Sequence, residues 1–313
     1  MKIVFFGSAH FAVPALKALL KSGYSVPCVV TQPDRKRGRG LHLASTAVKE
    51  HAEKEKIKVF QPEKINSLQA KKTLECVQAD LFVVIAYGQI LAQEILDLPK
   101  IFALNIHGSL LPKYRGAAPI NWALIKGEAY TGVTAIKMTK EMDAGPMILQ
   151  SNLKIQDSDT AVTIEEKLSH QAADLLLLSI AAITNDNYKL DYQDESLVTF
   201  APRLQKSDGE IHWNKSAAEI HNLIRGCLEW PGAFTCYHGR LLKIYKAEVV
   251  PSAMQEKNQP GEIIRVSGEG ILVAAARDNL LVKELQLEGK RRMQVEEFVS
   301  GHKIIAGEKL CEL

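Results

Sequence analysis

From Lys2 to Ile155 short apolar runs alternate with segments of helical spacing, and this alternation constrains the fold more than any other feature of the chain. Lys2 to Phe6 is an apolar run ending at Gly7. Apolar residues then recur at Phe11, Ala15, Leu16, Leu19 and Leu20 with the period of a helix that Gly23 closes. VPCVVTQ (26–32), IKVFQP (57–62), LFVVIAYG (81–88), FALNIHGS (102–109), VTAIKM (133–138) and MILQSNLKI (147–155) read as further strands, with a polar helix near 45–56. Strands alternating with helices imply an α/β architecture around a doubly wound, mostly parallel sheet. Ligands in such sheets sit beyond the carboxyl ends of the strands.

A long helix follows, with a capping box expected from Thr163 to Glu166 and apolar positions at Leu168, Ala172, Leu175, Leu176 and Ile180. Between about 185 and 207 the pattern dissolves into a polar stretch. Beyond it the grammar changes. After a helix over 216–226, with Ser216 and Glu219 as capping box and Gly226 as stop, FTCYHGRLLKIYKAEVV reads as a hairpin turning at His238 and Gly239, and GEIIRV, GILVAAA and NLLVKELQL follow at short intervals. Short strands separated by Gly, Asn and Asp suggest a small OB-like β-barrel. The expected organisation is a Rossmann-like domain over 1–189, a linker over 190–206 and a barrel domain over 207–313.

Composition narrows the class. A 46% hydrophobic share supplies a sizeable core, and a formal charge of +3 is too small to mark a nucleic-acid binder, so any such partner must be met by a local patch. The five cysteines are scattered, odd in number and never in a CxxC pair, which argues against a metal site and a disulfide framework. No segment approaches the roughly 20 apolar residues of a membrane span. The N-terminal run has the Lys2 and apolar residues of a signal peptide, but Gly7, Ser8 and His10 interrupt it. The expectation is a cytoplasmic protein without membrane or metal.

Residues 104–112, LNIHGSLLP, carry the chemistry. In an extended chain Asn105, His107 and Ser109 project from one face. A buried polar face costs about 1–3 kcal/mol per unpaired group, so the segment lies on a surface or lines a site. Asn105 can donate from its amide and His107 from a ring nitrogen, and two such donors stabilise a carbonyl oxygen that becomes an oxyanion, each typically worth about 2.7–4 kcal/mol. His107 can also move a proton near neutral pH, worth about 10²–10⁴ in rate. A carboxylate would orient the ring. Asp143 is the candidate, in the loop EMDAGP between two strands whose ends should meet the same rim. An isolated histidine at a strand end more often bonds only to backbone, so the constellation carries the reading.

The stretch NIHGSLLPKYRGAAPINWALIKGE (105–128), followed by the loop holding Asp143, resembles the signature of enzymes that transfer formyl from 10-formyltetrahydrofolate. Asn105, His107, Ser109 to Pro112 and Asp143 match that signature residue by residue. TQPDRKRGRG (31–40), VVIAYGQILAQEIL (83–96), RGAAPINWAL and the β-rich second half narrow the resemblance to members that act on initiator Met-tRNA. The similarity covers nearly the whole chain, resting in the second half on pattern and on EWPGAF.

The resemblance implies that the α-amine of methionine esterified to initiator tRNA attacks the formyl carbon, with no metal and no covalent intermediate. The tetrahedral oxygen would sit near Asn105 and His107, and Asp143 would hold His107 and help route the proton. It further implies that Ser109, Leu110, Leu111 and Pro112 contact folate, with the backbone around Ile85, Ala86, Tyr87 and Gly88 and around Met142, from Glu141 to Ala144, completing the pterin pocket. Arg35, Lys36, Arg37 and Arg39 would reach the tRNA acceptor arm, Arg39 foremost, and the protein would be a monomer. Four cations among glycines can pair with phosphates and stack on bases. In the second half cations and anions balance from Lys206 onward, so a binding surface there needs segregation onto one face.

Rival readings fare worse. GSAHFAVP holds a single glycine where a dinucleotide turn wants G-x-G-x-x-G, and Ser109 lacks the G-x-S-x-G elbow of a hydrolase. Other folate-dependent formyltransferases or hydrolases, acting on a nucleotide, an amino sugar or water, would share Asn105, His107 and Asp143. The basic loop and second domain favour tRNA. A non-catalytic RNA-binding protein would not need the intact trio.

Overall fold

A computed structural model describes residues 1–37, 42–252 and 258–311 and divides the chain into two units. The first comprises Met1–Pro119, Tyr130–Lys154 and Glu165–Ala201, the second Ile120–Ala129, Ile155–Ile164 and Pro202–Leu313. Along the chain run β1 (Lys2–Gly7), α1 (Val13–Lys21), β2 (Ser25–Val30), β3 (Arg35–Arg37), β4 (His42–Ala44), α2 (Ala47–Lys54), β5 (Lys58–Phe60), α3 (Leu68–Glu75), β6 (Leu81–Ile85), α4 (Gln93–Leu96), β7 (Phe102–His107), β8 (Arg115–Gly116), α5 (Pro119–Ile125), β9 (Tyr130–Lys137), β10 (Met147–Lys154), α6 (Ala161–Thr184) and β11 (Phe200–Ala201).

The sheet of the first unit has the order β10-β9-β7-β6-β1-β2-β5. β7, β6, β1, β2 and β5 run parallel, while at one edge β9 is antiparallel to β7 and β10 antiparallel to β9. This is the expected doubly wound, mostly parallel arrangement. Val4 and Phe6 face one side of β1 and Ile3 and Phe5 the other, and all four are fully buried, which a sheet covered by helices on both faces requires. Against Val4 and Phe6 pack Ala70 and Leu74 of α3 and Ile95 and Leu96 of α4. The chain leaves β1 for β2 on one side and returns to β6 on the other, so the strand order reverses between β1 and β6.

Two sequence expectations need correction. The cap of α6 lies three residues earlier than Thr163. Thr160 Oγ1 accepts from the Thr163 amide at 3.3 Å, and the Thr160 amide donates to Thr163 Oγ1 at 2.9 Å, because Thr160 offers an equivalent hydroxyl one turn sooner. The stretch 190–206, expected as a linker, is also more than a tether. Asp191 exchanges backbone hydrogen bonds with Met147 at 2.8 and 2.9 Å, and β11 pairs in parallel with β8, so residues 191–201 are built into the first unit. Their polar side chains conceal this because what holds them is backbone pairing rather than apolar burial.

The second unit adds α7 (Ala217–Gly226), β12 (Ala233–Tyr237), β13 (Arg240–Val250), β14 (Ile263–Ser267), β15 (Gly270–Ala274), β16 (Asn279–Leu287), β17 (Met293–Gln294) and α8 (Val295–Gly301). β12 and β13 form the expected hairpin, with His238 and Gly239 at φ 49° and 72°. The antiparallel order is β12-β13-β16-β15-β14, with β17 on β16. Residues 308–311 bridge the two free edges. Cys311 exchanges backbone bonds with Cys236 of β12 at 2.9 and 3.0 Å, and the Ile263 amide of β14 donates to the Glu308 carbonyl at 2.8 Å. Closure removes both edges, as in a small barrel. Inside lie Trp213, Ile220, Leu242, Val273, Leu285, Phe298 and Leu310.

The capping box of α7 forms as the sequence predicts. Ser216 Oγ accepts from the Glu219 amide, and the Glu219 carboxylate accepts from the Ser216 hydroxyl at 2.6 Å and from the Ser216 amide at 2.9 Å, two bonds that hold this carboxyl below its usual range. Ser216→Ala is expected to cost about 1 kcal/mol, the usual worth of such a cap, in denaturant unfolding at neutral pH. An unchanged midpoint would contradict it.

Candidate active site

β7 ends at His107, and its alternation puts Asn105 and His107 on one face, 9% and 7% exposed. Two polar side chains buried side by side are expensive unless partnered, and the structure supplies the partners. The chain bends after His107, runs through Ser109 to Lys113, and returns with Tyr114 at φ 62° to present its carbonyl 2.9 Å from His107 Nε2. A carbonyl can only accept, so Nε2 carries the hydrogen and Nδ1 is the nitrogen left for chemistry.

Nδ1 lies 3.5 Å from Asp143 Oδ2, and Asn105 Nδ2 lies 3.4 Å from Asp143 Oδ1. Both spacings are at the long end of hydrogen-bond range, as catalytic groups commonly show before substrate tightens them. The Gly116 amide donates to Oδ2 at 2.9 Å and fixes the carboxylate's orientation. The three expected catalytic side chains therefore converge.

Asp143 does not arrive by the expected route. β9 is antiparallel to β7 and ends level with Leu104, and the Met138 amide donates to the Ala103 carbonyl, so the loop to β10 springs from the amino end of β7. It then folds back over the sheet to reach Asn105 and His107. The reversal is tight, with Asp143 at φ 52°, and a Cβ on Gly145 would meet the Lys137 carbonyl at 1.8 Å.

Residues missed at the sequence level brace this loop. Gln193 donates from Nε2 to the carbonyls of Asp143 at 2.7 Å and Gly145 at 2.8 Å. Arg115 donates from Nε and Nη2 to Gln193 Oε1 at 3.0 and 2.8 Å, and pairs with Glu195 at 2.8 Å. The β-prone run Val198 to Phe200 is the only local hint that this polar stretch is ordered.

The expected folate residues fare unevenly. Ser109 leaves the shared face because the strand has ended, and its hydroxyl donates to the Lys113 carbonyl at 2.7 Å. Thr134 Oγ1 donates to the Ser109 carbonyl at 2.7 Å and accepts from the Leu111 amide, while Gln150 donates to the Leu111 carbonyl at 3.0 Å. These backbone groups are thus engaged within the protein. Leu111 is buried, and Leu110 and Pro112 are half-buried. Ile85 is fully buried in β6.

The Tyr87 side chain lies in the core, where its ring packs edge-on against Phe6 at 5.5 Å and burial pushes its hydroxyl pKa up. Ala86 and Gly88 are exposed at φ 47° and 92°, and Met142 is 56% exposed on the catalytic loop. Among the basic residues, Arg35 is exposed and pairs with Glu63 at 2.7 Å, and Lys36 is exposed. Arg37 contributes backbone to β3, and Arg39 lies outside the described residues.

Residues 1–180 match the formyl transferase family model, and residues 203–303 match that of the formyl transferase C-terminal domain. The chain is 43% identical over 313 residues to a methionyl-tRNA formyltransferase of Acetivibrio thermocellus, covering 99% of each. It superposes on the N-formyltransferase from Helicobacter canadensis in complex with folinic acid and dTDP-3-aminofucose, with a TM-score of 0.68 at 20% identity over 90% of this chain and 98% of that one. It also superposes on HypX from Aquifex aeolicus, with a TM-score of 0.61 at 17% identity over 96% of this chain, spanning 49% of that longer one. With both family models matched in order and full-length relatives of one name, the chain belongs to the methionyl-tRNA formyltransferase family.

Proposed function

We propose that Asn105, His107 and Asp143 carry the formylation of the methionine amine on initiator Met-tRNA, with 10-formyltetrahydrofolate as donor. Formylation of Met-tRNA is the activity of the family to which the chain belongs. The observation that carries the assignment of roles is the convergence of an amide, an imidazole and a carboxylate on one buried face of β7.

The neutral amine attacks the formyl carbon, and the carbonyl oxygen becomes an oxyanion. Asn105 Nδ2 and a protonated His107 Nδ1 are the donors for that charge. Nε2 is committed to the Tyr114 carbonyl, so any proton His107 exchanges passes through Nδ1. Asp143, facing Nδ1, balances the charge of the imidazolium and takes part in moving the proton from the amine to the departing folate nitrogen. Leu110, Pro112, Ala86, Gly88 and Met142 are the residues proposed for the folate ring, and Leu111, Ile85, Tyr87 and Ser109 support them from beneath. The C-terminal domain read at 207–313 is proposed to bind tRNA as part of a monomer working in the cytoplasm. No helix among the described residues is long and apolar enough to cross a membrane.

The test is formyl transfer from 10-formyltetrahydrofolate to Met-tRNA, with uncharged tRNA and free methionine as controls. Product from Met-tRNA alone supports the reading, and equal product from a sugar amine or hydrolysis without acceptor would overturn it. Arg35, Lys36, Arg37 and Arg39 are proposed to contact the acceptor arm. Arg39→Ala is expected to raise KM for Met-tRNA about tenfold, the worth of one charge-assisted hydrogen bond, with kcat nearly unchanged. An unchanged KM and kcat would remove the loop from the interface.

A further inference from the structure

We infer that Gln193 is a positioning residue for Asp143, and that residues 191–201 exist in the first unit to hold it there. The inference rests on the reading of Asp143 as a catalytic group.

The hydrogen bonds form a closed ring. Gln193 Nε2 holds the Asp143 carbonyl at 2.7 Å, and Gln193 Oε1 is held by the Arg115 guanidinium at 2.8 and 3.0 Å. One peptide further, the Gly116 amide returns to the Asp143 carboxylate at 2.9 Å. Asp143 is thus gripped at its backbone and at its side chain by two arms joined through Arg115. Gln193 and Arg115 are 9% and 6% exposed, so breaking these bonds leaves polar groups with little access to water. The second hydrogen of the Gln193 amide goes to the Gly145 carbonyl at 2.8 Å, which spans the reversal that Asp143 makes at φ 52°.

The segment that carries Gln193 is itself pinned at both ends. Asp191 exchanges two backbone bonds with Met147, the first residue of β10. At the far end Thr199 accepts from the amides of Tyr114 and Arg115, at Oγ1 and at its carbonyl, each at 2.9 Å. Gly116 runs so close to this segment that a Cβ there would meet the Ala201 carbonyl at 2.7 Å. The same strip therefore touches both the residue whose carbonyl fixes His107 and the residue whose amide fixes Asp143. A side chain whose four hydrogen-bonding groups are spent on the catalytic loop and on its anchor has no capacity left for substrate.

The test is a double-mutant cycle on formyl transfer, read as kcat and KM separately. Gln193→Met keeps the length of the side chain and removes its donors and its acceptor. It is expected to lower kcat 10- to 100-fold, leaving KM for Met-tRNA and for the folate within about threefold. In an Asp143→Ala background the same substitution is expected to change kcat less than threefold, because a residue that acts through Asp143 has nothing left to act on.

A merely structural role would cost the same factor in both backgrounds, and that result, or an unchanged kcat in the single variant, overturns the inference. Should Gln193→Met not fold by circular dichroism, Gln193→Glu is read in the same cycle, since it keeps the acceptor for Arg115 and replaces the donors that grip the loop. Full activity of Asp143→Ala on its own would instead sink the underlying assignment of Asp143, and so the two failures are separable.

Discussion

Asp143→Ala is expected to lower kcat for formyl transfer by about 10²–10⁴, with KM for Met-tRNA and folate changed little. The size follows from what is lost, since the carboxylate faces both Asn105 Nδ2 and His107 Nδ1 across 3.4 and 3.5 Å and is the group that matches charge at Nδ1. His107→Ala should fall in the same range, because with Nε2 bound to the Tyr114 carbonyl the ring offers a single nitrogen to the reaction. The double variant should be little worse than either single one, as groups that work as a unit are not additive. Steady-state kinetics on folded protein check this, and two independent losses that multiply would separate the roles of the two residues.

The second large effect is on stability. Ending the chain after Gly307 removes residues 308–313, of which 308–311 close the second unit. Leu310 leaves the core, and the backbone bonds at Cys236, Ile263 and Gly261 lose their partners. The Glu308 carboxylate, held below its usual range first of all by the Tyr237 hydroxyl at 2.6 Å, goes with them. Losing a buried leucine costs about 2–5 kcal/mol and each unpaired buried group about 1–3 kcal/mol. A loss of roughly 5 kcal/mol lowers the Tm of a domain this size by about 20 °C or more. Calorimetry of the shortened chain measures it, and a melt within a few degrees of the full chain would show that the barrel does not depend on this closure.

How far the sequence disclosed the site depends on which forces hold each part. Asn105 and His107 were legible because a strand alternates and their run is apolar at the intervening positions. Ser109 was misread because Gly108 and Pro112 signal a turn without fixing the residue at which the strand ends, and one bend moves a hydroxyl from a shared face to a backbone carbonyl. Asp143 was legible as a partner, but not its path, since folding back depends on Gly145 fitting against Lys137 and on Gln193 reaching over from a distant segment. Gln193 itself was hidden. Polar stretches stitched by backbone pairing leave no hydrophobic period, and 191–201 reads as a tether until its partners are known.

Whether the trio acts on the chemical step is decided by a single-turnover measurement at saturating 10-formyltetrahydrofolate and Met-tRNA, comparing the chain with Asn105→Ala, His107→Ala and Asp143→Ala. Each variant is expected to bind both substrates with Kd within about threefold of the parent and to form formylmethionyl-tRNA at least about 100-fold more slowly. Variants that bind weakly but transfer formyl at the parental rate once saturated would contradict it.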